Sequence, residues 1–200
     1  MNRIKLDAAS MDNILENLLK RSPNQYGSYQ DKVTNILDEV KENGDEALFS
    51  LTKEYDKAEI NKQNIRVTEE EIKEAYSLVD DSLIHVMKKS LKNIRDFHEK
   101  QLRNSWMETR ENGVIVGQRM TPLESVGVYV PGGKAAYPSS VLMNIAPAKV
   151  AGVKRIVMTT PPGADGKVTP ATLVAANLAG ADEIYKVGGA QAVGALAFGT

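Results

Sequence analysis

From Ser125 onward the chain repeats one pattern three times: a short apolar run, a loop rich in glycine or proline, then a segment with helical spacing. The first repeat is Val126 to Val130, the loop "PGGKAAYPSS", and a helix starting at Ser139 or Ser140, with Pro147 inside it as an expected kink and Gly152 as a stop. The second is "VKRIVMTT", "PPGADGK", and Thr169-Pro170 as cap and first turn of an alanine-rich helix ending at Gly180. The third is "DEIYKV", Gly188-Gly189 and a helix over 190–198. Strands alternating with helices of this length predict a parallel sheet with right-handed crossovers. In such sheets ligands sit at the carboxyl ends of strands, so the loops over 131–138, 161–169 and 188–191 are the ground to search.

Before this unit the chain has a different texture. Residues 1–120 hold 41 of the 51 charged residues, and the last eighty hold ten. Met11, Ile14, Leu15, Leu18 and Leu19 share a helical face after Ser10, and Val33, Ile36, Leu37 and Val40 repeat the pattern up to Asn43-Gly44. Asp45 is placed to cap another helix carrying Ala47, Leu48 and Leu51. Thr68 and Glu71 have the spacing of a capping box. A longer helix is predicted from Asp81, with Leu83, Ile84, Met87, Leu91, Ile94 and Phe97 toward the core and Lys88, Lys89, Lys92 and Arg95 on a solvated face. After Asn104 the period changes to two, and Asn112-Gly113 between extended runs predicts a hairpin. The expected organisation is a mainly helical region over 1–104, a hairpin connection over 105–120, and an α/β region over 121–200.

Composition narrows the function classes. With 42% hydrophobic and 26% charged residues and a net charge of −1, the chain has the balance of a globular protein, not of a nucleic-acid binder. It has no cysteine, which removes disulfides, thiolate metal sites and thiol nucleophiles. The first residues lack the apolar core of a signal peptide, and eighteen apolar residues never run together, so a soluble cytoplasmic protein without membrane partners is expected. The two histidines, His85 and His98, fall thirteen residues apart on one predicted helix and cannot chelate a common ion. Neither belongs to a recognisable Ser/His/Asp set.

The loop over 131–138 can be read in two ways, as a plain surface crossover or as a ligand loop whose glycines let backbone approach a bound group. No G-x-G-x-x-G follows a strand, and there is no P-loop motif. Two residues favour a dinucleotide. Tyr129 offers a flat ring and a hydroxyl at one strand end, and Gln191 offers an amide at the mouth of a Gly-Gly turn at another.

The stretches "IRDFHEKQ", "PLESVGVYVPGGKAAYPSSVLMNIAPAKVAGV", "TTPP" and "VGGAQAVGALAFGT", in this order, closely resemble the histidinol dehydrogenase family, most strongly from Ile94 to Thr200. The resemblance implies a Rossmann-like parallel βαβαβα unit of the aldehyde-dehydrogenase-like kind, here incomplete at its C-terminus. It implies oxidation of L-histidinol through an enzyme-bound aldehyde to L-histidine, with two NAD and one zinc, in a homodimer with shared active sites. It also makes Tyr129 and Gln191 the cofactor-contacting tyrosine and glutamine. The family's chains are roughly twice as long, and their zinc ligands and acid/base pair match no residue here, so this chain is expected to carry the cofactor-binding part without the reactive part. A catalytically inactive dinucleotide-binding or assembly module from the same family is the alternative.

Overall fold

A computed structural model describes residues 27–132 and 136–200; the helix expected over 11–19 lies outside the described residues. Helices α1 (Gly27–Asn43) and α2 (Asp45–Asp56) meet at Gly44. Its φ of 56° makes the corner, and its carbonyl accepts from the amides of Ala47 and Leu48. Gly44 is therefore the N-cap, and Asp45, expected in that role, is the first helical residue.

Helix α3 (Glu69–Leu78) begins at the expected capping box: the Glu71 amide donates to Thr68 Oγ1 at 3.2 Å, and the Thr68 amide donates to Glu71 Oε2 at 2.9 Å. Helix α4 (Asp81–Glu99) buries Ile84, Met87 and Leu91, with Ile94 packed against them. Leu83 and Phe97, expected in that core, are 40% and 61% exposed. Steps of three residues fall short of a full turn, so the row through Leu91, Ile94 and Phe97 drifts off the buried stripe, and Leu83 lies about 100° from Ile84.

Strands β1 (Trp106–Thr109) and β2 (Ile115–Gln118) form the predicted antiparallel hairpin. The turn is longer than a two-residue Asn-Gly reversal: the Gly113 amide closes on the Arg110 carbonyl at 2.9 Å, and Gly113 takes the positive φ.

The last part forms the expected strand–helix alternation: β3 (Ser125–Tyr129), α5 (Pro138–Val150), β4 (Arg155–Thr159), α6 (Pro170–Ala179), β5 (Glu183–Tyr185) and α7 (Gly189–Phe198). The strands make one parallel sheet in the order β3-β4-β5, with Tyr129, Thr159 and Tyr185 in register at its carboxyl end. Helix α5 starts at Pro138, earlier than the serines that follow it, because proline presets the first helical φ and lacks only an amide that the first turn leaves unpaired anyway. The helix is continuous through Pro147.

Alternation along the strands sorts the two sides of the sheet. Val128, Val130, Ile156, Met158 and Ile184 join a core with α3, α4, α5 and α6. On the other side α7 packs against α1 and α2 around Val40, Leu48, Leu51 and Val187. Close approach there needs glycine: a Cβ on Gly127 would lie 2.7 Å from Leu196, and one on Gly194 would lie 3.0 Å from Leu37.

The outer edge of β5 is not bare. Residues 65–67 run antiparallel to it, with the Val67 amide donating to the Ile184 carbonyl at 2.9 Å and the Lys186 amide to the Ile65 carbonyl at 2.8 Å. At the other end of β5, Asp182 accepts from the Ile156 amide at 2.7 Å and from Lys149 at 2.9 Å. Burial pushes this carboxyl up, but the amide and the ammonium together hold it below the ordinary aspartate value.

Candidate functional site at the strand ends

Three loops leave the carboxyl end of the sheet, and Pro161 is where they meet. A Cβ on Gly132, after β3, would lie 2.9 Å from the Pro161 ring, and one on Gly188, after β5, would lie 2.4 Å from it. Glycine at both places lets the backbone of two strand ends close on the proline from either side.

Tyr129 ends β3 and is 36% exposed. Its hydroxyl accepts from the Gly189 amide at 3.3 Å, joining the end of β3 to the first turn of α7. Gly188 is the N-cap of that helix, and Gly189 has a φ of 66°. Gln191 does not stand at the surface as its position beside a glycine turn suggests: it is 1% exposed, and its Oε1 would lie 2.5 Å from a Cβ on Gly189. Its side-chain amide lies buried against the Gly189 turn. The two residues singled out in the sequence thus meet at one place, Gly189, one from solvent and one from beneath.

A second feature of the strand ends is a buried ion pair that no local sequence pattern encodes. Lys186, which precedes this turn, is buried, and its ammonium pairs with Glu71 Oε1 at 2.5 Å. Glu71 thereby serves α3 as capping residue and the strand-end turn as counter-ion. A lysine in "DEIYKV" reads as the polar member of an alternating strand, and nothing in the local sequence links it to a glutamate 115 residues earlier.

On the far side of Pro161 lies a cleft of about 310 Å³ between α3 and the 161–169 loop. Gly132 and Pro161 line it together with apolar Leu78 and Leu173 and the polar side chains of Asp165 and Lys167. The loop is tied by its own bonds, Gly163 amide to Lys167 carbonyl and Gly166 amide to Gly163 carbonyl, each 2.8 Å.

His85 and His98 sit on α4, and His98 Nδ1 lies 2.7 Å from Gln101 Oε1. Among the described residues, no group of three histidine, aspartate or glutamate side chains could hold a metal ion. None of the described helices is long and apolar enough to cross a membrane.

Parallel strands joined by crossover helices define an α/β protein of the open-sheet class, whose ligands gather at the carboxyl ends of the strands. Comparison with known proteins narrows this. The sequence profile of histidinol dehydrogenase matches residues 19–200. The chain is 59% identical over 165 residues to the histidinol dehydrogenase of Clostridium acetobutylicum, covering 82% of this chain and 38% of that one. It is 52% identical over 183 residues to that of Bacillus subtilis, covering 91% and 42%. The crystal structure of histidinol dehydrogenase from Elizabethkingia anophelis superposes with a TM-score of 0.80 at 43% identity, covering 86% of this chain and 39% of that one. The chain belongs to the histidinol dehydrogenase family, and it spans about two-fifths of the length of these relatives.

Proposed function

We propose that this chain is the NAD-binding part of a histidinol dehydrogenase, which oxidises L-histidinol by way of L-histidinal to L-histidine in the last steps of histidine biosynthesis. The observation that carries the reading is the Tyr129 hydroxyl on the Gly189 amide, with the Gln191 amide beneath, at the carboxyl end of a parallel sheet. Bound NAD would take up the hydride released from the substrate carbon. The chain's own residues supply position. The exposed face of Tyr129 is a surface on which a planar ring can stack. Gly132 and Gly188 keep side chains out of the way, so that backbone can approach a ligand. Gln191 and Lys186 fix the turn from below, so that its geometry exists before the ligand arrives.

Zinc, which the family implies, does not find a ligand set in these residues: there is no cysteine, and the two histidines share one helix. Metal chemistry is therefore assigned to no residue of this chain. In the full reading the protein works in the cytoplasm as a homodimer, with L-histidinol as its small-molecule partner and no nucleic acid or membrane.

The test is NAD titration by calorimetry. Tyr129→Ala removes the ring and Gln191→Met keeps the volume while removing the amide. Each is expected to weaken NAD binding by about 1 to 3 kcal/mol with the melting temperature nearly unchanged for Tyr129→Ala. Unchanged affinity in both variants would overturn the cofactor assignment.

A further inference from the structure

We infer that a slot of about 330 Å³ between the sheet and α7 is a second ligand site, built for an α-amino acid whose flat side chain ends in a polar atom. Strand alternation makes its floor: Arg155, Val157 and Thr159 share one side of β4, opposite Ile156 and Met158 of the main core. Ala192 and Ala195 of α7, with Gly199 at its C-terminal cap, form a roof of little side-chain bulk. Burial gives the slot a direction. Thr159 and Ala192 are buried whereas Arg155 and Asp45 are exposed, so it opens at the amino end of β4 and runs inward to Thr159. This mouth lies at the opposite end of the strands from Tyr129, and nothing in it rests on the cofactor reading.

The inner end calls for a ligand with a polar tip. Thr159 is 4% exposed, and its Oγ1 is buried with no hydrogen-bond partner among the described residues. Native proteins pair such a hydroxyl with protein, water or a ligand, because leaving it unpaired is costly. The walls beside it, Val157, Val187 and Leu48, are apolar. An apolar body with one polar atom at its end meets both demands. A cavity of about 150 Å³ accepts a benzene ring, so about 330 Å³ holds a ring together with a charged head.

The mouth supplies opposite charges for that head. Arg155 gives its Nε to Glu183 at 2.7 Å, and its two terminal amino groups have no partner among the described residues. Glu183 also accepts from the Tyr185 hydroxyl, so the carboxylate on offer at the mouth is that of Asp45, the first residue of α2. A guanidinium and a carboxylate on one rim match the two charges of a zwitterion, whereas a ligand with a single charge meets a group of its own sign. Four residues of strand, about 13 Å, separate Arg155 from Thr159. An amino acid as long as tyrosine spans that gap with the help of the arginine side chain.

L-Tyrosine is the probe, titrated by calorimetry against the purified chain and its Thr159→Val and Arg155→Gln variants. Beside it run L-phenylalanine, tyramine, which lacks the carboxylate, and phloretate, which lacks the ammonium. The parent chain is expected to bind tyrosine roughly fivefold more tightly than phenylalanine, the worth of one hydrogen bond. Thr159→Val keeps the shape and loses the hydroxyl, so it should abolish that difference without lowering the thermal midpoint. Tyramine and phloretate should each bind roughly tenfold more weakly than tyrosine, as loss of a charge-assisted contact implies. Arg155→Gln should weaken tyrosine by a similar factor and leave tyramine as it was. The inference is overturned if the parent chain binds no tyrosine at millimolar concentration, if tyrosine and phenylalanine bind alike, or if Arg155→Gln weakens tyramine as much as tyrosine. The comparison of the four ligands needs only the parent chain, so it decides the matter even where a variant fails to fold.

Discussion

Asp56, the last residue of α2, shows how much one side chain can cost. Its Oδ2 is buried with no hydrogen-bond partner among the described residues, and burial raises its pKa above the ordinary 3.8. A carboxyl whose folded pKa is raised is a liability wherever it is ionised, and the liability disappears once acid protonates it in both states. Asp56→Asn is therefore expected to raise the thermal midpoint at pH 7, with the advantage fading as the pH falls toward 3.8, as a melting series across that range would record. Residues of this kind are invisible in the sequence, where a helix-terminal aspartate looks solvated. Tyr129 and Gln191 stand out in the sequence for a different reason, because an aromatic at a strand end and an amide after two glycines are unusual enough to need explaining. That Gln191 lies buried against the turn was not legible, because the direction of a side chain at a helix start depends on the backbone there, and Gly189 takes a positive φ.

At the scale of elements, the sheet is held at its amino end by charge. Glu183 takes the Arg155 guanidinium at 2.7 Å and the Tyr185 hydroxyl at 2.7 Å, and Arg66 approaches from the 65–67 segment at 3.8 Å. The bond from Arg155, then that from Tyr185, hold the carboxyl below its ordinary 4.5 against the opposing effect of burial. A depressed folded pKa gives stability that is complete above the unfolded value and is lost as pH falls through the folded one. Urea unfolding between pH 7 and 3 should therefore show the parent losing stability below about 4.5 more steeply than Glu183→Gln, which starts lower at pH 7. Most elements were readable from period and punctuation: the capping box at Thr68, the Asn-Gly hairpin and the strand–loop–helix repeat all stand where the sequence puts them. What could not be read was pairing between distant segments. The 65–67 strip, the Glu71–Lys186 pair and the Glu74–Lys167 pair join α3 and its approach to loops a hundred residues later, and no local pattern encodes such a partner.

For the whole molecule, the early helices are the cover of the late sheet. Helices α3 and α4 pack on α5 and α6, while α1 and α2 pack on α7. Both faces of the three-stranded sheet meet helices, and the apolar side chains left in solvent include Trp106 and Met107 of the hairpin. Catalysis is another matter. Oxidising an alcohol needs a base for its proton and a group to hold the developing alkoxide, each fixed in place. Among the described residues, no group of histidine, aspartate or glutamate side chains could hold a metal ion that would steady that alkoxide. The purified 200 residues with zinc, NAD and L-histidinol are expected to form no NADH; turnover on the order of 1 per second would overturn this.

The strip at 65–67 has a consequence for how the sheet can grow. By occupying the outer side of β5 in antiparallel sense it blocks that flank to any newcomer, whereas β3 pairs only with β4 among the described residues. Enlargement is therefore one-sided: an added strand, from this polypeptide or another, has to dock along β3. Tyr129 would then stop being a border residue and would sit between neighbours on both flanks, at the place where open α/β sheets reverse their direction of winding and gather their ligands.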